Sequence, residues 1–447
     1  MELLLGPTGV LQWEKDKAYA GYTLIAPSMS TKTYLIDMEG DIVHEWHHST
    51  KPGLYAELLP NGNILRGVNL PPTTINFGGT SGGVEEIDWN GNIVWSYHLR
   101  DDTHTHHHCF KRRANGNTFI LSWEMKTREE ALAKGRKPET IPVEGHTYTD
   151  ITVRGIVPDY IIEVDSSGKT VWEWYTWDHI GTGPDQLDIN YTFPPSMDYL
   201  AFGDWTHCNT VDYDEAKNIV LLNSRNLGEF YFIDYKSKKI IYRWGNPTAY
   251  GKGKKPTFCD DGEQILFGPH HPSFLQNGNI LLFDNGWMRP ELNRSRVLEM
   301  NPKTNDIVWE YISRNPNAFS TPFQGAAQRL PNGNTFITSS NAGQIFEVTP
   351  AKEVVWVFMT PWAWDGVSKR VLYDGVDTMP KGQDWNKGAQ LNMVHRAYRY
   401  GADYAGLKGK KLNKITHCVD APYWFRQYGE LREKDRVDAA AAATATK

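Results

Sequence analysis

Of the chain's 15 histidines, a subset recurs at one place in a repeated pattern. His207, His271, His395 and the run 104–108, which ends in His107 and His108, each stand before or within the first apolar segment of a repeat. Tyr55 and Gln324-Gly325-Ala326 hold the corresponding place in two other repeats. Imidazoles gathered at one point support nucleophilic attack with a covalent intermediate, proton transfer near neutral pH, or ligation of a transition metal. Taken singly, a histidine at a strand start more often satisfies a turn or a neighbouring carbonyl. Four of six repeats placing histidine at about the same height point instead to a shared site. The spacing leaves open which member of 104–108 takes part. His44, His47, His48, His98, His146, His179 and His417 lack the registration and read as surface or structural residues.

The elements that must position these residues are short strands. The organising stretch is Gly268-Pro269-His270-His271-Pro272-Ser273-Phe274-Leu275-Gln276-Asn277-Gly278-Asn279-Ile280-Leu281-Leu282-Phe283-Asp284-Asn285-Gly286-Trp287-Met288-Arg289. Asn277-Gly278 between two apolar runs is a hairpin signal, because both residues tolerate the positive φ of a tight turn. The same Asn-Gly-Asn turn occurs at Asn61, Asn115 and Asn332, with a degenerate copy at 213–220. A second hairpin alternates with it, an apolar residue, usually Asp, a turn, and an apolar pair leading to an aromatic. It reads Ile36-Asp37 to Trp46, Ile87-Asp88 to Trp95, Val164-Asp165 to Trp172, Ile233-Asp234 to Trp244, Met300-Asn301 to Trp309, and Val348-Thr349 to Trp356.

Two hairpins per period make four strands, at a spacing slightly longer than that of propeller blades. The first such hairpin has nothing before it, and the segment 392–400 has nothing after it. Pairing the two closes a ring and removes the exposed edges. The expected fold is all-β, a six-bladed β-propeller closed by N- and C-terminal strands, with the histidines ringing one mouth of its channel. It occupies residues 1–437 as one domain, with insertions at 124–160, 181–203 and 359–390 and a disordered Ala/Thr-rich tail at 438–447. A short helix is expected over 127–134. Arg225 and Arg289 follow the second strands of their repeats, where each could equally serve an interblade ion pair.

Composition narrows the classes. A hydrophobic share of 40%, a charged share of 22% and a net charge of −6 are those of a soluble globular protein without a nucleic-acid footprint. No apolar run approaches the ~18 residues of a membrane span. Residues 1–7 contain no basic leader and too short an apolar run for a signal peptide, so a cytoplasmic location is expected if Met1 is the natural start, and a periplasmic one if a leader has been removed. Cys109, Cys208, Cys259 and Cys418 are scattered and read as free thiols. The oligomeric state is not legible.

Two stretches resemble the bacterial arylsulfate sulfotransferases that work without PAPS. The first is Asp204-Trp205-Thr206-His207-Cys208-Asn209-Thr210-Val211-Asp212-Tyr213-Asp214, leading to Asn223-Ser224-Arg225. The second is His271-Pro272-Ser273, continuing to Phe283-Asp284-Asn285-Gly286 and Arg289. The resemblance implies a six-bladed propeller in which a channel histidine takes the sulfuryl group of an aryl sulfate and passes it to a phenol. It implies that His207, His271 and Arg289 hold that group. Where the family carries its nucleophile on a later blade, this chain has Ser320-Thr321-Pro322-Phe323-Gln324-Gly325, leaving His395 or a member of 104–108 to substitute.

Three readings follow. The leading one is a sulfuryl transferase without cofactor, acting on a small aromatic substrate. Its catalytic candidates are His108, His207, His271, Arg289 and His395, and its binding candidates are Tyr55, His107, Trp205, Asn209, Arg225 and Trp287. The second is a divalent-metal enzyme (hydrolase, lyase or oxidoreductase), with His108, His207, His271 and His395 as ligands. The third is a propeller that binds a partner without catalysis.

Overall fold

The computed structural model describes residues 8–418, apart from 29, 149–150, 192–202, 258, 291–293, 316–317, 363, 366–369 and 372–389. Six antiparallel sheets form a six-bladed β-propeller. Blade II contains Pro52–Leu58, Ile64–Asn69, Gly82–Ile87 and Ile93–His98, running from the channel outward. Blade III begins with His104–Arg112, blade IV with Cys208–Asp214, blade V with His270–Phe274 and blade VI with Ala326–Arg329.

The ring closes at blade I, where Val394–Gly401 pairs with Gly21–Pro27 in a register running from Gly21 opposite Gly401 to Pro27 opposite Val394. Two further strands were not legible in the repeat. Gly9–Trp13 adds to the outer edge of blade VI, and Thr416–His417 to that of blade I. Both cover edges that would otherwise expose unpaired backbone. The closing strand carries the buried Arg399, whose Nε donates to Thr23 and whose guanidinium lies 3.5 Å from Glu347 and over the Trp356 ring. The propeller's ends are thus tied by a charged pair as well as by a ladder.

The turn chemistry explains the repeat. Asn61, Asn115, Asn277 and Asn332 each accept the N–H two residues on, at 3.0–3.1 Å, and the glycines between have φ of 85–90°. In the degenerate copy Asn218 takes the left-handed conformation, and Asp214 caps the turn. Asp37, Asp88 and Asp165 do the same for the second hairpin.

The aromatic that ends each second hairpin staples its blade to the next. The indole N–H of Trp46 donates to Asp88 O, Trp95 to Ser166 O, Trp172 to Tyr235 O, Trp309 to Pro350 O and Trp356 to Met38 O, at 2.8–3.1 Å. In blade IV the Tyr242 hydroxyl reaches Asn305 at 2.6 Å instead. The Trp356 bond crosses the closing seam. Trp356→Phe keeps most of the packing but strands the Met38 carbonyl, so it should cost about 1–3 kcal/mol in denaturant unfolding; an unchanged midpoint would remove this staple from the account.

The insertion after blade III's second strand contains the expected helix, Arg128–Ala133, started by a reciprocal Thr127–Glu130 capping box. Among the described residues all four cysteines are free thiols, and no helix is long and apolar enough to cross a membrane. The tail 438–447 and most of the insertion 359–390 lie outside the described residues.

Candidate active site

A common backbone device sets the channel mouth. Leu54, His108, His207, His271 and Gln324, within or just before the innermost strands of blades II to VI, all have φ between 43° and 90°. Left-handed backbone in residues with a Cβ costs on the order of 1–3 kcal/mol each and persists where the surroundings enforce it. In blades II to V it accompanies β-bulges that turn the side chains out of the blade.

The structure brings His107, His108, His207, His270 and His395 together. The His108 ring centre lies 4.7 Å from that of His207, 5.1 Å from His107 and 6.3 Å from His395, and the His270 and His395 centres are 6.4 Å apart. Trp123 is stacked on His107 at 3.8 Å. Gly79, at φ 100°, makes room: a Cβ there would lie 1.8 Å from the His108 ring.

Two of these imidazoles are backed by buried carboxylates. His207 Nδ1 is bonded to Asp204 Oδ2, so Nδ1 carries the proton and Nε2 keeps its lone pair. For His108 the support is relayed. Asp159 Oδ1 lies 2.9 Å from His107 Nε2, and His107 Nδ1 lies 2.8 Å from His108 Nδ1. The Asp159 carboxyl beside Nε2 favours the His107 tautomer protonated there, which makes Nδ1 the acceptor and leaves His108 protonated at Nδ1 and basic at Nε2. Thr206 Oγ1 donates to the other oxygen of Asp159 and fixes that carboxylate.

Burial pushes His107, His108, His270 and His395 below the ordinary histidine range. For His108 the adjacent imidazoles add to the effect, and for His270 the Arg225 charge does. These rings are neutral at pH 7. His270 is fully engaged: it bonds to Asn285 Oδ1 at 2.7 Å through Nδ1 and accepts the Gln324 N–H at Nε2. His395 is the opposite case, wholly buried and, among the described residues, with no hydrogen-bond partner at either ring nitrogen. Arg225 lies over the Trp287 ring at 4.4 Å beside this group.

The other sequence candidates sit elsewhere. His271 bonds to Ala327 O and to the Tyr398 hydroxyl, each at 3.0 Å, and faces further down the channel. Arg289 is committed to Asp284 at 2.5 Å and to Ile265 O. Asn209 Nδ2 donates to Pro269 O, and Trp205 Nε1 to Asp188 O, so both hold the loops around the site. Tyr55 donates to Phe110 O within the channel. Among the described residues, no three His, Cys, Asp or Glu side chains are placed to hold one metal ion. Sequence reasoning did not single out Asp204, Asp159 or His270. Asp204 had a signal, three residues before His207, whereas Asp159 reaches the site only through the sheet.

The fold and this mouth define a six-bladed propeller with carboxylate-backed imidazoles in its channel. The family model for arylsulfotransferase (ASST) matches residues 11–355, and the chain belongs to that family. It is 23% identical over 244 residues to the arylsulfate sulfotransferase AssT of Escherichia coli O6:H1, covering 43% of this chain and 41% of the relative. Against the AssT of Lelliottia amnigena it is 22% identical over 248 residues, with the same coverage. The match thus spans less than half the length of these relatives. Among solved structures, a protein of unknown function from Bacteroides caccae aligns with a TM-score of 0.45 and 14% identity, over 76% of this chain and 93% of that one. A streptogramin B lyase aligns with a TM-score of 0.41 and 12% identity, over 89% of this chain and 96% of that one.

Proposed function

We propose that the protein transfers a sulfuryl group from an aryl sulfate to a phenolic acceptor, with His207 as the nucleophile. The observation that carries this reading is the Asp204–His207 pair beside His108 in the channel of an arylsulfotransferase-family chain. Asp204 fixes the tautomer, as a nucleophile's supporting group must. It also offsets the positive charge that develops on the ring as Nε2 bonds to sulfur. His207 is the most exposed ring of the group, at 9%, so a substrate can reach it.

In the first half-reaction His207 Nε2 bonds to sulfur as the S–O(aryl) bond breaks, and the electron pair leaves with the phenolate. In the second, the acceptor phenol loses its proton to His108 Nε2 while its oxygen bonds to sulfur. The S–N bond breaks and its electron pair returns to His207. Protonated His108 then neutralises the departed phenolate, which balances the cycle. Splitting one transfer into two lowers each barrier. His395, with an N–H to place, donates to a sulfuryl oxygen, and Arg225 supplies positive charge where the oxygens gain it.

The test supplies an aryl sulfate and a phenol to chelator-treated protein. Sulfated acceptor formed at an undiminished rate is the expected result. Hydrolysis without transfer, or dependence on an added metal, would overturn the reading.

A further inference from the structure

Below the histidine cluster the channel is crossed by a septum. Arg396 donates to Asn209 O at 2.8 Å, to Thr210 Oγ1 at 3.1 Å and to Cys109 Sγ at 3.4 Å. The His271 backbone N–H also donates to Thr210 Oγ1, while its ring meets the Tyr398 hydroxyl. On the far side lies a cavity of about 320 Å³, lined by the innermost strands out to their hairpin ends, where Lys111 is 37% exposed.

Arg396 faces this cavity, is only 2% exposed and lies 4.5 Å over the Tyr55 ring. Among the described residues no carboxylate stands within ion-pair distance of its guanidinium, and its Nε has no hydrogen-bond partner. A buried charge without a counter-ion is costly, and an anion in the cavity would offset that cost. The two carboxylates on the cavity do not fill the role. Asp212 is paired with Lys111 at 3.0 Å, and Glu57, although the Arg396 charge acts on it, stands beyond ion-pair distance of the guanidinium. The volume exceeds that of an inorganic oxyanion, and four phenol rings, Tyr55, Tyr398, Tyr400 and Tyr404, stand among its walls.

We propose that this far-side cavity is a second ligand site, which takes a small aromatic anion with its charge on Arg396 and its ring against the tyrosines. The site is reached from the face opposite the histidine mouth and does not depend on the sulfuryl-transfer reading. Lys111 and Arg329, the other cations on the cavity, are already paired with Asp212 and Glu299, so Arg396 is the charge left to orient a ligand among the tyrosines.

Calorimetric titration of the full chain with benzoate and with its neutral isostere benzamide tests it. The expected result is one equivalent of benzoate, bound at least about tenfold more tightly than benzamide because only the anion meets the guanidinium. Binding should persist in His207→Ala and be lost in Arg396→Met and in Ser273→Trp, whose larger side chain fills the cavity. If Arg396→Met fails to fold, the benzamide and Ser273→Trp results still decide. Equal affinity for both compounds, no heat with benzoate, or binding unaffected by Ser273→Trp would overturn the proposal. Loss of binding in His207→Ala would overturn it too, by moving the site to the histidine mouth.

Discussion

His207→Ala should lower transfer of the sulfuryl group from aryl sulfate to phenol by about 10³-fold or more, the scale expected when a residue that carries the reaction is removed. Asp204→Asn should lower it by about 10²–10⁴, although it barely changes the shape of the site. The amide can accept or donate at His207 Nδ1, so it no longer fixes the proton there or stabilises charge on the ring. The pair of variants separates catalysis from packing. His207→Ala leaves the blade ladders intact but strands the buried Asp204 carboxylate, so its activity is read below its own melting temperature, and Asp204→Asn, which strands no charge, serves as the folded control. Added imidazole should restore part of the activity of His207→Ala, by supplying the missing ring, and none of that of Asp204→Asn. A His207→Ala protein that keeps activity within about tenfold of the parent would remove His207 from the nucleophile's role.

The second large effect is on stability in acid. His48 is lowered to about 2 and His106 to about 3, and His107, His108, His270, His271 and His395 are lowered as well, burial being the largest cause throughout. A histidine held neutral in the fold but free to protonate when unfolded binds fewer protons native than unfolded below its ordinary pKa. Its stabilisation is therefore complete above about pH 6.5 and is lost as the pH falls towards the folded value. For His48 and His106, whose folded values lie far below pH 5.5, the loss between neutral pH and pH 5.5 is on the order of 1 kcal/mol each. Asp37, Glu57 and Glu229 are shifted up and act in the opposite sense, but they are three against seven. The melting temperature should therefore fall steeply between pH 7 and 5.5, and replacing the fully buried His395 by Gln should flatten that fall. A profile level to pH 5 would contradict the neutral cluster.

The architecture was legible because its signals are local. Asn-Gly turns, Asp-capped hairpins and a terminal aromatic recur in most blades, and the unpaired segments at the two ends left one way to close the ring. The edge strands Gly9–Trp13 and Thr416–His417 were not legible, since each is a single strand outside the repeat and pairs with a distant partner. The site was legible at the level of a histidine ring and less so at the level of its atoms. His108, His207 and His395 come together, whereas His270 rather than His271 turns its ring into the group. Two adjacent histidines at a bulge cannot be told apart by spacing alone, because one residue of slip reverses the side chain. Arg289 illustrates a second limit. Its place after a strand suits a channel cation and an ion pair equally, and Asp284 decides between them through space. Asp159, which orients His108 through His107, comes from the middle strands of blade III, and no motif of the sequence joins them.

A covalent sulfuryl group on His207 is what this mechanism requires, and it can be looked for directly. The protein is incubated with an aryl sulfate and no acceptor, quenched in alkali to protect the S–N bond, digested, and its peptides are sequenced by mass spectrometry. The account predicts one sulfuryl adduct per chain, on the peptide containing Asp204-Trp205-Thr206-His207 and at His207, discharged when a phenol is added before the quench. An adduct at His108, His395 or any other residue, or no adduct while turnover proceeds, would contradict it.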